Sequence, residues 1–288
     1  MALEDFTGVG WVESDAGGRL TVTATSITWN DVLRGDEACY VRADKGAAFF
    51  NGDFTHSFEF TTPSAAESAD GAWVYMWVLS NHATQAPSEL ESASSDYLGF
   101  YFVNATGDIP RFALSISDDG VRSDDNSSTI NYSTKYYVTI VRDDAGGVNG
   151  TGQLTAYICT TNYYGDTGYS LFDTLTLDCG AGEQNDYRYI FATIPRGGTG
   201  TQITDGVVEN LNLSAVANVF VDMEVTSGGV GDGTATMELF EAIDMAVTSG
   251  GTGGGSATMT VVGSITGLFQ PTFILVSIGH DELWYEDI

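Results

Sequence analysis

The sequence predicts an all-β protein built around a sandwich of two sheets. Glycine supplies 35 of the 288 residues and proline only 5, and aromatic side chains make up 12% of the chain. Most segments alternate apolar and polar residues at a period of two, which is typical of half-buried strands rather than of helices. About ten such segments precede residue 215, which favours a jelly roll over a smaller immunoglobulin-type sandwich.

The predicted strands follow one another with turn-rich stretches between them. In chain order they are RLTVTATSITW, HSFEFTT, AWVYMWVLS, YLGFYFV, RFALSIS, KYYVTIVRD, QLTAYIC, DTLTLDC, YRYIFATI and GVVENLNLS. Stretches such as SDDG and DDAGGVNGTG separate them and are rich in residues that favour turns. One short helix is predicted in QAPSELESASSD, where Pro87 and Ser88 favour a helix start within a loop insertion.

The segment AWVYMWVLS reads as a central strand with two apolar faces. Unbroken alternation puts its aromatic side chains on one face, namely Trp73, Tyr75 and Trp77. The opposite face is also apolar, as expected for a strand buried on both sides. We therefore expect a packing role for these residues, and likewise for the aromatic residues of YLGFYFV, which are Tyr97, Phe100, Tyr101 and Phe102.

The C-terminal part of the chain carries an internal repeat. DMEVTSGGVGDGTATM, residues 222–237, recurs as DMAVTSGGTGGGSATM, residues 244–259. Apolar residues keep odd-numbered positions, which predicts an antiparallel β-meander with glycine-rich loops and a middle strand over 234–248. GGVGDG resembles a calcium-binding β-helix repeat, but its acidic residue is out of register and the second copy has none. We expect no calcium β-helix here.

The change in composition and residue pattern after residue 214 predicts two domains. We assign residues 1–214 to the jelly roll and residues 215–288 to a β-rich assembly domain. A single sheet with one apolar face must be covered, either by packing within the chain or by another subunit. The sequence leaves both open, and the second would make the protein a homo-oligomer or a component of a larger assembly.

Charge and composition exclude several classes of protein. The chain has 39 acidic and 10 basic residues, a formal net charge of -29, which disfavours nucleic acids and anionic membrane surfaces as partners. It shows no secretory signal and no apolar run long enough to span a bilayer. The three cysteines lack metal-ligand spacing, and although Cys159 and Cys179 could face each other across a hairpin, buried free thiols are favoured over a disulfide.

The order and texture of the strands resemble the concanavalin A-like lectin/glucanase superfamily of the LamG type. The segments that carry the resemblance are FFNGDFTHSFEFTT, AWVYMWVLSN, KYYVTIVRD followed by GQLTAYIC, DYRYIFATI and GVVENLNLS, within residues 6–214. Domains of this kind occur in phage and environmental bacterial proteins. The resemblance implies a jelly-roll fold and, where calcium is bound, a calcium site in loops at one rim of the sandwich.

Catalysis is not expected from the motifs. The Glu-x-Asp-x-x-Glu pattern of retaining glucanases is absent, and SELESASSD, with Glu89, Glu91 and Asp96, reads as a solvated face. The histidines lie far apart in the sequence, and no nucleophile elbow is present. The sequence therefore predicts that the protein is not an enzyme.

Two loops are candidate ligand sites. Sugar sites combine aromatic faces with carboxylate or amide groups, and calcium takes oxygen ligands. SDDGVRSDDNSS supplies the candidate calcium ligands Asp118, Asp119, Asp124 and Asp125, and TNYYGDTGY supplies the candidate glycan ligands Tyr163, Tyr164 and Asp166. Both stretches also read as ordinary turns.

These observations predict a non-catalytic structural protein, a phage virion component such as a capsid decoration, tail or fibre protein. A virion or extracellular location after cytoplasmic synthesis follows from the absent signal, with other virion proteins or glycans as partners. One alternative is a calcium-assisted carbohydrate-binding module. A second is a glycoside hydrolase with an atypical carboxylate pair.

Overall fold

The structure is a computed structural model whose placed residues form two units. Contacts between residues divide the chain into Met1–Ala217 and Asn218–Ile288. The residues described below are 3–47, 49–65, 72–104, 109–180, 187–213, 236–239 and 258–261. No helix in these ranges is long and apolar enough to cross a membrane.

The first unit is a sandwich of two seven-stranded antiparallel sheets, as the sequence predicts. The first sheet has the order β1 (Trp11–Ser14), β4 (Tyr40–Asp44), β13 (Tyr189–Pro195), β6 (Ala72–Ser80), β7 (Tyr97–Asn104), β8 (Arg111–Asp118) and β9 (Val121–Asn126). The second has the order β12 (Ser170–Asp178), β11 (Gln153–Thr161), β10 (Lys135–Asp143), β5 (Phe54–Thr61), β14 (Ile203–Asn212), β3 (Ser26–Leu33) and β2 (Leu20–Val22).

Two helical segments interrupt the strands. The helix α1 (Pro87–Ser92) begins at the predicted Pro87, and Glu89 closes its first turn by accepting a hydrogen bond from the backbone N–H of Ala86 at 2.8 Å. A short 3-10 turn spans Val148–Gly150. The helix α1 therefore confirms the predicted helix within the β6–β7 connection.

The core lies between the sheets and is strongly aromatic. Phe58 and Phe60 of the second sheet meet Phe100, Phe102 and Phe112 of the first, with ring centroids 5.3 to 5.9 Å apart. Edge-to-face and tilted ring pairs of this kind stabilise a core beyond the area that they bury. All three cysteines are buried and free, as the sequence favours.

The alternation predicted for β6 is broken in the middle of the strand. The β6–β7 register shifts between Tyr75 and Trp77, so Trp77 turns inward to the core while Trp73 and Tyr75 stay on the outer face. The prediction that all three aromatic residues share one face is therefore wrong. Inside the sandwich, the Trp77 indole N–H donates to Nδ1 of His56 at 3.0 Å, across the two sheets.

The second unit is described only in two strands, β15 (Thr236–Leu239) and β16 (Thr258–Val261). They pair in parallel, Met237 opposite Met259, where the meander predicts antiparallel pairing. These two methionines are 22 residues apart and occupy equivalent positions of the two sequence repeats. The long connection between them permits a parallel crossover that a hairpin loop does not. The remainder of the predicted meander lies outside the described residues.

Candidate functional site

A second buried cluster lies on the outer face of the first sheet, the face turned away from the core. Tyr75, Tyr97 and Tyr101 belong to it, and Ala86 and Leu90 of the α1 segment pack in the same cluster. The tyrosines come from the central strands β6 and β7, so the cluster occupies the middle of the sheet. Trp73 stacks on Tyr101 at its margin, with ring centroids 5.6 Å apart.

Three arginines converge on the Trp73 ring. The guanidinium carbons of Arg34, Arg122 and Arg196 lie 5.0, 5.0 and 4.6 Å from its centroid. Backbone hydrogen bonds fix the segments that carry Arg34 and Arg196. The N–H of Arg196 donates to the Trp73 carbonyl at 3.1 Å, and the N–H of Gly197 donates to the Arg34 carbonyl at 2.9 Å. Three of the ten basic residues of the chain thus surround one indole.

Glu91, on α1, joins the arginines to the tyrosines. Its Oε2 accepts from Nη2 of Arg196 at 2.6 Å, and its Oε1 accepts from the Tyr97 hydroxyl at 2.9 Å and lies 3.7 Å from Nη1 of Arg122. The side chain of Glu91 is only 17% exposed. The interpretation of SELESASSD as a solvated face is therefore wrong for Glu91, because the helix turns this carboxylate towards the sheet.

The contact between Glu91 and Arg196 requires the start of α1 and the segment after β13 to approach each other closely. Gly197 has a φ of 87°, and a Cβ at this position would meet the Ser88 Oγ at 2.6 Å and the Ala86 Cβ at 2.8 Å. A glycine is therefore required where the chain leaves β13 beneath the start of α1. The Ser88 N–H donates to the Arg196 carbonyl at 2.9 Å, which ties the helix to the arginine segment.

Several polar atoms at the site are buried without a hydrogen-bond partner among the described residues. The donors are Nε1 of Trp73, Nη1 of Arg122 and Nε of Arg196, and Oδ1 of Asp124 is an acceptor. The other oxygen of Asp124 accepts from Nε of Arg122 at 2.9 Å. Buried polar groups are nearly always satisfied, so an orphaned set in one place indicates a missing water or ligand.

The site carries a net positive charge in a very acidic protein. Arg34, Arg122 and Arg196 contribute three positive charges, and Glu91 and Asp124 contribute two negative ones, which leaves one positive charge. Burial lowers the pKa of Arg34, and the neighbouring Arg196 and Arg122 lower it further. Crowding three guanidinium groups is thus unfavourable by itself, and a bound anion would relieve it.

The tyrosine hydroxyls form a chain that ends on a carboxylate. The Tyr75 and Tyr97 oxygens are 3.2 Å apart, and Tyr97 donates to Glu91. Burial raises the pKa of Tyr75 to about 12, although the hydrogen bond with Tyr97 lowers it in part. Burial likewise raises the pKa of Tyr97 and of Tyr101, so each hydroxyl is a neutral donor at pH 7.

The candidate calcium ligands do not come together as one set. Asp118 and Asp119 lie at the tip of the β8–β9 hairpin, where they group with Asp96 within 4.8 Å. Asp124 pairs with Arg122 instead, and Asp125 accepts from the N–H of Thr176 at 2.8 Å. Burial raises the pKa of Asp118, and the carboxylates of Asp96 and Asp119 raise it further. Three carboxylates could supply oxygen ligands to calcium, which takes about six to eight.

The candidate glycan ligands lie in the β11–β12 connection, on the outer face of the second sheet. Tyr163 donates to Oε1 of Glu59 at 3.3 Å, and Tyr164 stacks on Tyr157. Asp166 lies in the same loop and acts on Tyr163, whose pKa is raised chiefly by burial and by Glu59. Sequence reasoning therefore named Tyr163, Tyr164 and Asp166 as candidates but did not name the cluster of arginines around Trp73. The only sequence signal for that site was the scarcity of basic residues.

Among the comparisons with known proteins, only the comparison with solved structures found similar proteins. No protein-family model matches the chain, and no curated protein sequence matches it. Alginate lyase Aly36B, in a complex with alginate trisaccharide, is 16% identical, with a TM-score of 0.48 over 74% of this chain and 89% of that one. A legume lectin-like domain from Entamoeba histolytica is 14% identical, with a TM-score of 0.45 over 72% and 90%. Alginate lyase A1-II' is 11% identical, with a TM-score of 0.38 over 66% and 80%.

These comparisons contradict two expectations. Alginate lyases, which are carbohydrate-active enzymes, recur among the similar structures, so the predicted non-catalytic structural protein of a virion and the predicted absence of enzyme activity are both corrected. The two packed antiparallel sheets agree with the resemblance noted in the sequence. The first unit of this chain is a sandwich of two seven-stranded antiparallel sheets.

Proposed function

We propose that the outer face of the first sheet is the active site of a carbohydrate-active enzyme that cleaves an anionic, uronic-acid polysaccharide. The observation that carries the proposal is the convergence of Arg34, Arg122 and Arg196 on Trp73 in a chain of net charge -29. Guanidinium groups bind carboxylates by paired, charge-assisted hydrogen bonds. A uronate supplies a carboxylate on every sugar ring.

The indole holds the guanidinium groups without using their N–H donors. Stacking on an aromatic face positions a cation and leaves its edge free to donate. Among the described residues, the buried donors Nη1 of Arg122, Nε of Arg196 and Nε1 of Trp73 have no hydrogen-bond partner, although Nη1 of Arg122 lies 3.7 Å from Oε1 of Glu91. A carboxylate at this position would accept from such donors and compensate the positive charge of the site.

The chemistry that fits these groups is β-elimination. A base removes the proton on the carbon next to the uronate carboxylate, and the resulting negative charge spreads onto that carboxylate. As the double bond forms, the bond to the glycosidic oxygen breaks, and that oxygen takes up a proton from water or from a neutral hydroxyl. Arginines bound to the carboxylate stabilise the developing charge. The hydroxyl chain from Tyr75 through Tyr97 to Glu91 offers a route by which a proton can leave the sugar-binding face.

The test is turnover of a panel of polyuronates, followed by the ultraviolet absorbance of the unsaturated sugar that elimination creates. We expect product with at least one polyuronate and a loss of at least about a hundredfold in Arg196→Gln, because one stabilising donor group is removed. Arg188→Gln is the matched control, since Arg188 is an exposed arginine that pairs with Asp44 elsewhere.

Three outcomes would overturn the proposal. One is the absence of turnover and binding with every anionic polysaccharide. Another is equal activity in Arg196→Gln and Arg188→Gln. The third is new reducing ends without the unsaturated product, which would mean hydrolysis instead of elimination.

A further inference from the structure

The β11–β12 connection, residues 162–169, folds over the outer face of the second sheet and is called the tyrosine loop below. Tyr164 stacks face to face on Tyr157, with centroids 3.8 Å apart and planes 5° apart. Tyr169 meets Tyr164 edge-on at 5.2 Å, and Tyr163 meets Tyr137 edge-on at 5.4 Å. The five tyrosines thus form two groups of contacting rings, Tyr157–Tyr164–Tyr169 and Tyr137–Tyr163, which the loop brings to the same face.

The tyrosine loop is held in place before any ligand binds. The Asn162 side chain donates to the Thr167 carbonyl at 2.9 Å, and the Thr161 hydroxyl donates to the Gly168 carbonyl at 3.0 Å. Two backbone bonds, from Asp166 N–H to the Tyr163 carbonyl and from Tyr169 N–H to the Asp166 carbonyl, close its turns. An aromatic surface fixed in this way loses little conformational entropy on binding.

The ring surface has both an exposed part and polar groups beside it. Tyr169 is 37% exposed, and Leu171, two residues further along the chain, is 46% exposed. At the other end, Oε1 of Glu59 accepts from Tyr163 and from Nδ2 of Asn210 at 3.0 Å. Sugars need this combination, because their C–H faces stack on rings while their hydroxyls require hydrogen-bonding groups.

A second observation on the same face concerns a buried hydroxyl. Thr139 is 4% exposed, and its Oγ1 has no hydrogen-bond partner among the placed residues. Thr139 lies directly opposite Tyr157 in the β10–β11 pair, on the face that the tyrosine loop covers. An unsatisfied hydroxyl under an aromatic surface indicates a position for a water or a ligand hydroxyl.

The charges of this face favour a neutral ligand. Nζ of Lys135 lies 2.6 Å from Oε2 of Glu59 and 2.8 Å from Oε2 of Glu209, so the one ammonium group and the two carboxylates leave one negative charge. Asp166 in the loop adds a further negative charge. A polyuronate would be repelled here, whereas an uncharged sugar would not.

We propose that the tyrosine loop and the adjoining face of β10 and β11 form a binding surface for a neutral polysaccharide built of hexoses. The surface is separate from the arginine site, since the two lie on the outer faces of different sheets. Sugar rings stack on Tyr164 and Tyr169, and their hydroxyls reach the polar groups around Glu59.

The test is affinity electrophoresis through gels that contain a neutral glucan, a neutral mannan or alginate. We expect the full-length chain to be retarded by a neutral polymer, and Tyr169→Ala and Tyr164→Ala to bind it about tenfold more weakly through loss of stacking. Tyr164→Phe keeps the ring and should bind like the original. Phe49→Ala is the matched control, since Phe49 is an exposed aromatic residue of the β4–β5 connection, 51% exposed.

The outcomes separate this proposal from the proposed enzyme activity. Arg196→Gln should keep its retardation by the neutral polymer even where it loses turnover. No retardation by any neutral hexose polymer would overturn the proposal. Unchanged retardation in both alanine variants, each shown to be folded by circular dichroism, would also overturn it, as would loop-dependent retardation by alginate alone.

Discussion

Acidification should destabilise the sandwich through one buried histidine. His56 is 1% exposed, and its Nδ1 accepts from the Trp77 indole, so the ring is neutral. Burial, together with the positive charge of Lys45, lowers the pKa of His56 from 6.5 to about 3. Between these two values the unfolded chain binds a proton that the folded chain does not, so stability falls as the pH falls.

The size of the effect follows from the two pKa values. Each pH unit between the two pKa values lowers the free energy of unfolding by about 1.4 kcal/mol. Lowering the pH from about 7.5 to about 4.5 should therefore reduce that free energy by about 2.5 kcal/mol through His56. Urea denaturation at a series of pH values measures it. His56→Gln keeps an acceptor for the indole but cannot titrate. Between these two pH values, the free energy of unfolding of this variant should therefore fall by about 2.5 kcal/mol less than that of the original chain.

The comparison between variants isolates this histidine from the carboxylates, which titrate in both chains. His82→Gln, which removes an imidazole outside the core, is the matched control. Parallel stability curves for the original chain and His56→Gln would refute the reasoning, because they would mean that His56 takes up no proton on unfolding.

Two further predictions concern packing and charge. Gly99→Ala should destabilise the chain by about 1 to 3 kcal/mol in urea denaturation, because the new methyl group would lie 2.8 Å from the Tyr75 ring; an unchanged midpoint would contradict this packing. Asp118→Asn should raise the urea midpoint at pH 7, because burial, and then the carboxylates of Asp96 and Asp119, raise the pKa of Asp118 and disfavour its charged form. The gain in stability should disappear on acidification, when Asp118 becomes protonated. If the three carboxylates bind calcium, calcium should stabilise the original chain more than the variant.

The sandwich could be predicted from the sequence because strand alternation is a local property. The strands around KYYVTIVRD and QLTAYIC lie where the pattern puts them, as does the helix start at Pro87. The bulge in β6 could not be predicted, because the apolar residues around Met76 fit either face. Trp77 therefore lies on the core face of the sheet, although the order of apolar and polar residues in β6 does not indicate this.

The arginine site could not be predicted because its parts are distant in sequence. Arg34 follows β3, Arg122 lies on β9 and Arg196 follows β13, and each one alone resembles an ordinary surface residue. Strand order, which alternation does not specify, brings them to Trp73. Glu91 was misread for the same reason, since its partners lie on other strands.

The hydrogen bond from Trp77 to His56 joins the middle of one sheet to the middle of the other. It limits sliding of the two layers, so the arginine site and the tyrosine loop keep a fixed relation on opposite sides of one slab. A stiff polymer cannot lie on both sides at once. If both surfaces act as proposed, the protein would bridge two strands of a mixed polysaccharide gel, binding a neutral strand on one side while it cleaves an acidic strand on the other.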